Sequence, residues 1–260
     1  AHGGEFKLPE NIEDEFILDL GAQFDAFDQS DNGGNLLWGT NGNPVVIAPG
    51  RQEDPITVSD ENGGAYVVWV DYDAEPDIGD IYAQHIQSDG SISWGIEGVV
   101  LTNVPGKQVS PNMASDGMGG VFVIWNDLSV STLGHTYGTH LTVNDADIIA
   151  PGTGVPIISN DSDHAGVSIE TAAAGSAVLV WADDRNVDDS GIDIFTQRID
   201  ANCNTLWSTA EEGGIPLCTS SGSQQYVKVT YYSQTASVVV WEDKRYNENL
   251  GDDLNLIEKN

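Results

Sequence analysis

With 41 Asp and Glu against nine Lys and Arg, this 260-residue chain carries a formal charge of −32 and a pI near 4.1. That balance argues against a nucleic-acid or anionic-membrane partner and makes cations the natural counterpart. Hydrophobic residues at 40 % suffice for a core, but no apolar run nears the roughly 18–20 residues of a transmembrane helix.

In chain order, no charged-then-apolar leader opens the sequence, as expected of a mature secreted form beginning at Ala1. Acidic and apolar residues then mix without a clean period from Ile12 to Phe24. Residues 1–28 are read as an N-terminal arm and 29–260 as the repeat-bearing body. Phe16–Phe27 fits a strand, and Leu36–Trp38 with Pro44–Ile47 fits the closing segment of a repeat with no start in front of it.

Four near-copies of one phrase follow, at Ala65–Asp71, Val121–Asp127, Ala177–Asp183 and Ser237–Asp243. Their tryptophans, Trp69, Trp125, Trp181 and Trp241, stand 56, 56 and 60 residues apart. A fixed period of this size marks a repeat architecture whose units bury their apolar faces on one another. Each phrase is rich in β-branched and aromatic residues and too short for a useful helix, so it reads as a buried strand.

The tryptophan serves as a ruler for the whole unit. Gln52, Gln108 and Gln224 stand seventeen residues before it, with His164 in the third copy. A strand such as Ile56–Asp60 or Asn112–Asp116 leads into the glycine-bearing turns Asp60–Gly64 and Asp116–Gly120, whereas copies three and four turn through Ala172–Ser176 and Ser233–Ser237. After the tryptophan comes an acidic loop, then the period-two segments Asp80–Ile86, His135–Leu141, Asp193–Ile199 and Asp253–Ile257. A fourth segment carries Trp94 or Trp207 and closes on Val99–Leu101 or Ile215–Leu217; Ile148–Ile149 takes the tryptophan's place in copy two.

The expectation is an all-β chain, a β-propeller of about four blades built from four-stranded repeats of about 56 residues, with an extra N-terminal strand. Joining the terminal strands would complete the fourth blade and leave one strand over, with a free edge. That arm either docks on its own ring or adds to a neighbour's sheet, head to tail, to form a filament.

The turn Asp-Gly-Met-Gly-Gly (116–120), the phrases Trp181-Ala-Asp-Asp-Arg185 and Trp241-Glu-Asp-Lys-Arg245, and the strands Asp80–Ile86 and Asp193–Ile199 resemble a family of secreted bacterial β-propeller repeats. The resemblance spans about residues 16–259. It implies the propeller fold and an extracellular surface module whose ligands vary. Copies one and two depart from the pattern, having Asp73 and Ser129 where the arginine stands.

The Asp two residues after each tryptophan, Asp71, Asp127, Asp183 and Asp243, is open to two readings. It caps the following turn, or it joins a calcium site with the carboxylates crowding the next loop: Asp73, Asp77 and Asp80; Asp184, Asp188, Asp189 and Asp193; or Asp252. His85 and His140 occupy equivalent strand positions and read as packing residues. Tyr72, Tyr226, Tyr231, Tyr232 and Tyr246 are candidate sugar-stacking rings, with ordinary edge packing as the other reading. Cys203 and Cys218 fall within one repeat and form a disulfide if the compartment is oxidising and their Cα atoms come close enough.

No nucleophile elbow, zinc-protease helix or P-loop occurs. The expected function is therefore a non-catalytic extracellular structural or adhesive subunit at the cell surface, assembling with itself through terminal strands. The alternatives are a carbohydrate-binding propeller and, second, an acidic glycoside hydrolase whose carboxylate pair the sequence does not single out.

Overall fold

The computed structural model describes residues 20–21, 43–72, 78–129, 131, 133–142, 147–173, 175–233, 236–245 and 256–259. Among them the chain forms strands only. The first sheet runs β1 (Leu20–Gly21), β2 (Gly50–Ser59), β3 (Ala65–Tyr72), β4 (Asp80–Ile86), β5 (Val99–Thr102), and the second β6 (Gln108–Ser115), β7 (Val121–Asp127), β8 (His135–Leu141), β9 (Val155–Ile158). The third is β10 (His164–Ala172), β11 (Ser176–Asp183), β12 (Asp193–Ile199), β13 (Ile215–Cys218), and the fourth β14 (Gln224–Ser233), β15 (Ala236–Asp243), β16 (Leu256–Lys259). Strand order follows chain order in every sheet, and all pairings are antiparallel except β1 on β2. These are propeller blades, and their leading strands touch in sequence: β2 against β6, β6 against β10, β10 against β14.

Period-two alternation in the tryptophan strands explains the packing. Tyr66, Val68 and Val70 of β3 face the second blade, where they meet Val121, Val123 and Trp125. Phe122 and Ile124 point the other way, to Leu179 and Trp181 of the third blade. Val178 and Val180 in turn face Val227, Val239 and Trp241 of the fourth. Each central strand is thus apolar on both faces because each face belongs to a different interblade core, which is why these stretches read as continuous hydrophobic runs. Trp69, Trp125 and Trp181 are at most 1 % exposed.

A glycine ahead of each outer strand makes room for the ring. A Cβ on Gly98, Gly154 or Gly214 would fall within 2.6 Å of Trp69, Trp125 or Trp181 respectively, and all three glycines have positive φ. Any other residue there has to displace the indole and adopt a left-handed backbone.

The four leading strands share a bulge fifteen residues before the tryptophan. Asp54, Ser110, Gly166 and Tyr226 all have positive φ, between 52° and 64°, and the register with the second strand slips at each. A bulge turns the strand locally and strengthens its twist.

The ends answer part of the strand bookkeeping. The final strand lies three residues later than its expected start and pairs Glu258 with Val240 of its own sheet. Leu20 pairs in parallel with Gly50, so this piece of the arm adds to the chain's own first blade. Val45 and Val46 pack on Val67, Trp69 and Ile86, as Ile157 and Ile158 pack around Trp181 two blades later. The rest of the arm, Leu36–Trp38 and the boundary at residue 28 lie outside the described residues.

Candidate functional site

The strand-end aspartates are buried and held by their own blades. Asp71 Oδ2 accepts from Trp69 Nε1 at 3.2 Å and Gln52 Nε2 at 3.3 Å. Asp183 accepts from Trp181 Nε1 at 3.0 Å and from Arg185, whose Nη2 lies 2.6 Å from Oδ2. Asp243 repeats this with Trp241 at 3.3 Å and Arg245 at 2.6 Å. Burial pushes the Asp183 and Asp243 carboxyls up, but hydrogen bonds from the arginines and tryptophans outweigh it and leave both below the usual carboxylate value of 3.8. Asp127 caps the amide of Ser129 at 2.8 Å.

Among the described residues the remaining calcium candidates do not converge. Asp184 caps the amide of Asp163, buried Asp193 accepts from Asn186 and Ser190, Asp80 is half-buried, and Asp188 and Asp189 are exposed. Asp73, Asp77 and Asp252 lie outside the described residues, and no group of three metal-ligating side chains occurs among those described.

His85 and His140 are buried partners of hairpin aspartates: His85 Nε2 lies 3.0 Å from Asp60 and His140 Nε2 2.9 Å from Asp116. Each aspartate also caps two turn amides, at 2.7–2.8 Å. The two cysteines are free thiols, a correction with a simple cause: Cys203 lies in the core between blades two and three, Cys218 against that between three and four. Burial pushes the Cys203 thiol up to about 12. Of the candidate sugar-stacking rings, Tyr72 is buried under the Arg51 guanidinium, at 4.4 Å, whereas Tyr226, Tyr231 and Tyr232 are exposed. Tyr246 lies outside the described residues.

A cavity of about 390 Å³ forms where the leading strands end in their hairpins, with all four blades contributing. Glu61 comes from the β2–β3 turn, Asp116 and Met118 from β6–β7, Glu170 and Thr171 from β10, and Tyr231 from β14. Asp116 is already committed to His140 and the turn amides. Glu61 and Glu170 form no ion pair among the described residues: Glu61 Oε1 accepts from the Ser115 hydroxyl at 2.8 Å, and Glu170 Oε1 from the amide of Thr171 at 2.9 Å. The Thr171 hydroxyl donates to Ser115 O, tying blades two and three together beside them. Two carboxylates with no cationic partner among the described residues, next to an exposed phenol ring and the Met118 thioether, form a concave, acidic, partly apolar surface suited to polyhydroxylated ligands.

Glu61 occupies its turn at a cost. Its φ is +62°, and the equivalent position in the second blade is Gly117, φ +73°. A side chain held in the left-handed region costs about 1–2 kcal/mol, and such outliers cluster at functional sites. The sequence carried this signal: Asp-Glu-Asn-Gly-Gly sets a glutamate where its sister turn, Asp-Gly-Met-Gly-Gly, sets glycine. Glu170 had no comparable mark.

No family model and no curated protein matches the chain. Solved structures similar to it include an α-L-arabinanase from Penicillium chrysogenum complexed with arabinobiose, at 15 % identity and TM-score 0.48 over 80 % of this chain and 62 % of that one. Others are a thermostable family-43 glycoside hydrolase (12 %, 0.45, 81 % and 72 %) and an endo-arabinase from Bacteroides thetaiotaomicron (11 %, 0.43, 93 % and 78 %). The chain therefore spans less than two thirds of the length of the Penicillium enzyme, and the activities named are those of the other proteins. All three named structures are glycosidases, and this finding corrects the expectation of a non-catalytic structural or adhesive subunit. As for self-assembly, both described terminal strands pair within the chain itself, and the rest of the arm lies outside the described residues.

Proposed function

We propose that the chain is a glycoside hydrolase that cleaves a glycan in the four-blade cavity, with Glu61 and Glu170 as the carboxylate pair. Glycosidic cleavage needs one carboxyl to protonate the leaving oxygen and a second to act as nucleophile or to activate water. The observation that carries the reading is Glu61, a carboxylate kept in a strained backbone conformation at the cavity mouth, steered by the Ser115 hydroxyl. Tyr231 and Met118 supply the apolar contact a sugar ring's C–H face requires. A secreted location belongs to the same proposal: polysaccharides lie outside the cell, and the repeats resemble those of secreted propellers.

The test is reducing-end release from a panel of plant and microbial polysaccharides by the native protein and by Glu61→Gln and Glu170→Gln. Each variant should lose about 10²- to 10⁴-fold in rate on whichever glycan the native protein cleaves. Unchanged rates in both variants overturn the assignment of the site, and no release from any glycan overturns the activity.

A further inference from the structure

The opposite end of the leading strands holds a second cavity, of about 310 Å³, between blades two and three. Two bulges shape it, at Ser110 (φ +54°) and Gly166 (φ +64°), and Lys228 of the fourth blade stands at its edge. None of the residues around it is a carboxylate.

Two buried side chains along this cavity break the pattern kept elsewhere in the repeat. The first is Trp125, 1 % exposed. The other three tryptophans donate Nε1–H to the aspartate two residues on, but Trp125 Nε1 has no partner among the described residues. The second is His164, 3 % exposed, which replaces the glutamine of the other copies. Its Nε2 lies 3.1 Å from Asn160 Oδ1, 3.0 Å from Ser162 Oγ and 3.6 Å from Asp183 Oδ2. Asn160 Oδ1 and Asp183 Oδ2 can only accept, so Nε2 carries the proton and Nδ1 presents a bare lone pair, also without a partner among the described residues.

Burial holds the His164 imidazole below its ordinary value against the opposing pull of Asp183, so the ring stays neutral. A buried donor and a buried acceptor left unmade are each costly, and native proteins leave few of them. A neutral hydroxyl has both capacities, accepting from an indole N–H and donating to an imidazole nitrogen.

We propose that this cavity is a second ligand site, separate from the Glu61 and Glu170 cavity, that takes a small neutral polyhydroxylated molecule, a polyol or a single sugar unit, through a hydroxyl between Trp125 and His164. The proposal does not rest on the hydrolase reading. Its size suits one ring, and the absence of carboxylates suits a neutral ligand.

Titration of ¹⁵N-labelled protein with glycerol, arabinose and glucose, followed through the tryptophan indole N–H signals, tests it. The Trp125 signal, assigned by its loss in Trp125→Phe, should move and saturate with at least one probe while those of Trp69 and Trp181 stay put. His164→Gln installs the residue the other three blades use, so the blade should keep its fold, and binding should weaken about tenfold, the worth of one neutral hydrogen bond. Glu61→Gln should leave the titration unchanged. The proposal is overturned if no probe moves the Trp125 signal, if all indoles move together, or if His164→Gln binds as tightly as the native protein.

Discussion

Blades one and two and blades three and four are locked at opposite ends. In the first pair the lock is at the hairpin, where Asp60 meets His85 and Asp116 meets His140. In the second pair the hairpin aspartate is gone, and the lock lies at the far end of the tryptophan strand, where Arg185 grips Asp183 and Arg245 grips Asp243. Blade three marks the exchange: Arg198 takes the histidine's place and turns to Ser176 Oγ and the carbonyl of Ala173. Each of these four blades thus carries a polar clamp at one end of its central hairpin, and the repeat accommodates either end.

The largest effect should come from what both pairs share. Trp181→Ala removes a fully buried indole from the core between blades two and three and should cost about 3–5 kcal/mol in chemical denaturation; a cost near 1 kcal/mol would mean that the blades are not held by these rings. Next is the arginine lock. Arg185→Met leaves Asp183 buried without its cation and should cost about 3 kcal/mol, whereas Asp60→Asn, in a blade without that lock, should cost about 1–2 kcal/mol. Equal losses would erase the distinction between the two ends.

Acid should sharpen the same contrast. Asp183, Asp243 and Asp60 are all held below the usual 3.8, in each case because hydrogen bonds overcome the upward push of burial. Carboxylates with depressed values give stability that is present above their unfolded value and lost as pH falls toward the folded one. Thermal midpoints should drop below about pH 4, and Arg185→Met should flatten that drop. His164 works at milder pH: its neutral form is favoured by burial, so stability falls as pH goes below the ordinary imidazole value of 6.5. The smallest expected effect is none: reducing agent should leave the midpoint unchanged, because Cys203 and Cys218 serve different interblade cores.

Much of the architecture was legible. Four Trp-x-Asp phrases at a near-constant spacing fixed the blades, and double-sided apolar strands followed from the interblade cores. The two clamps were legible only in part: the arginines of copies three and four stand out, but the link between His85 and Asp60, twenty-five residues apart, appears only when β4 is laid beside β3. The calcium candidates illustrate a related point. Sequence crowding of carboxylates says nothing of direction, and Asp71, Asp183 and Asp243 turn inward to their own tryptophans. The candidate site was the least legible, because Glu61 and Glu170 are 109 residues apart, on blades one and three, and line one cavity only because the leading strands of the blades end around it.

The sharpest single test of the account is Glu61→Gly, which gives the first blade the glycine that the second already has at that turn. Relief of the left-handed strain should leave the thermal midpoint no lower than that of the native protein, while glycan cleavage falls by at least about 100-fold. A variant that cleaves as well as the native protein would contradict the assignment of Glu61 to the chemistry.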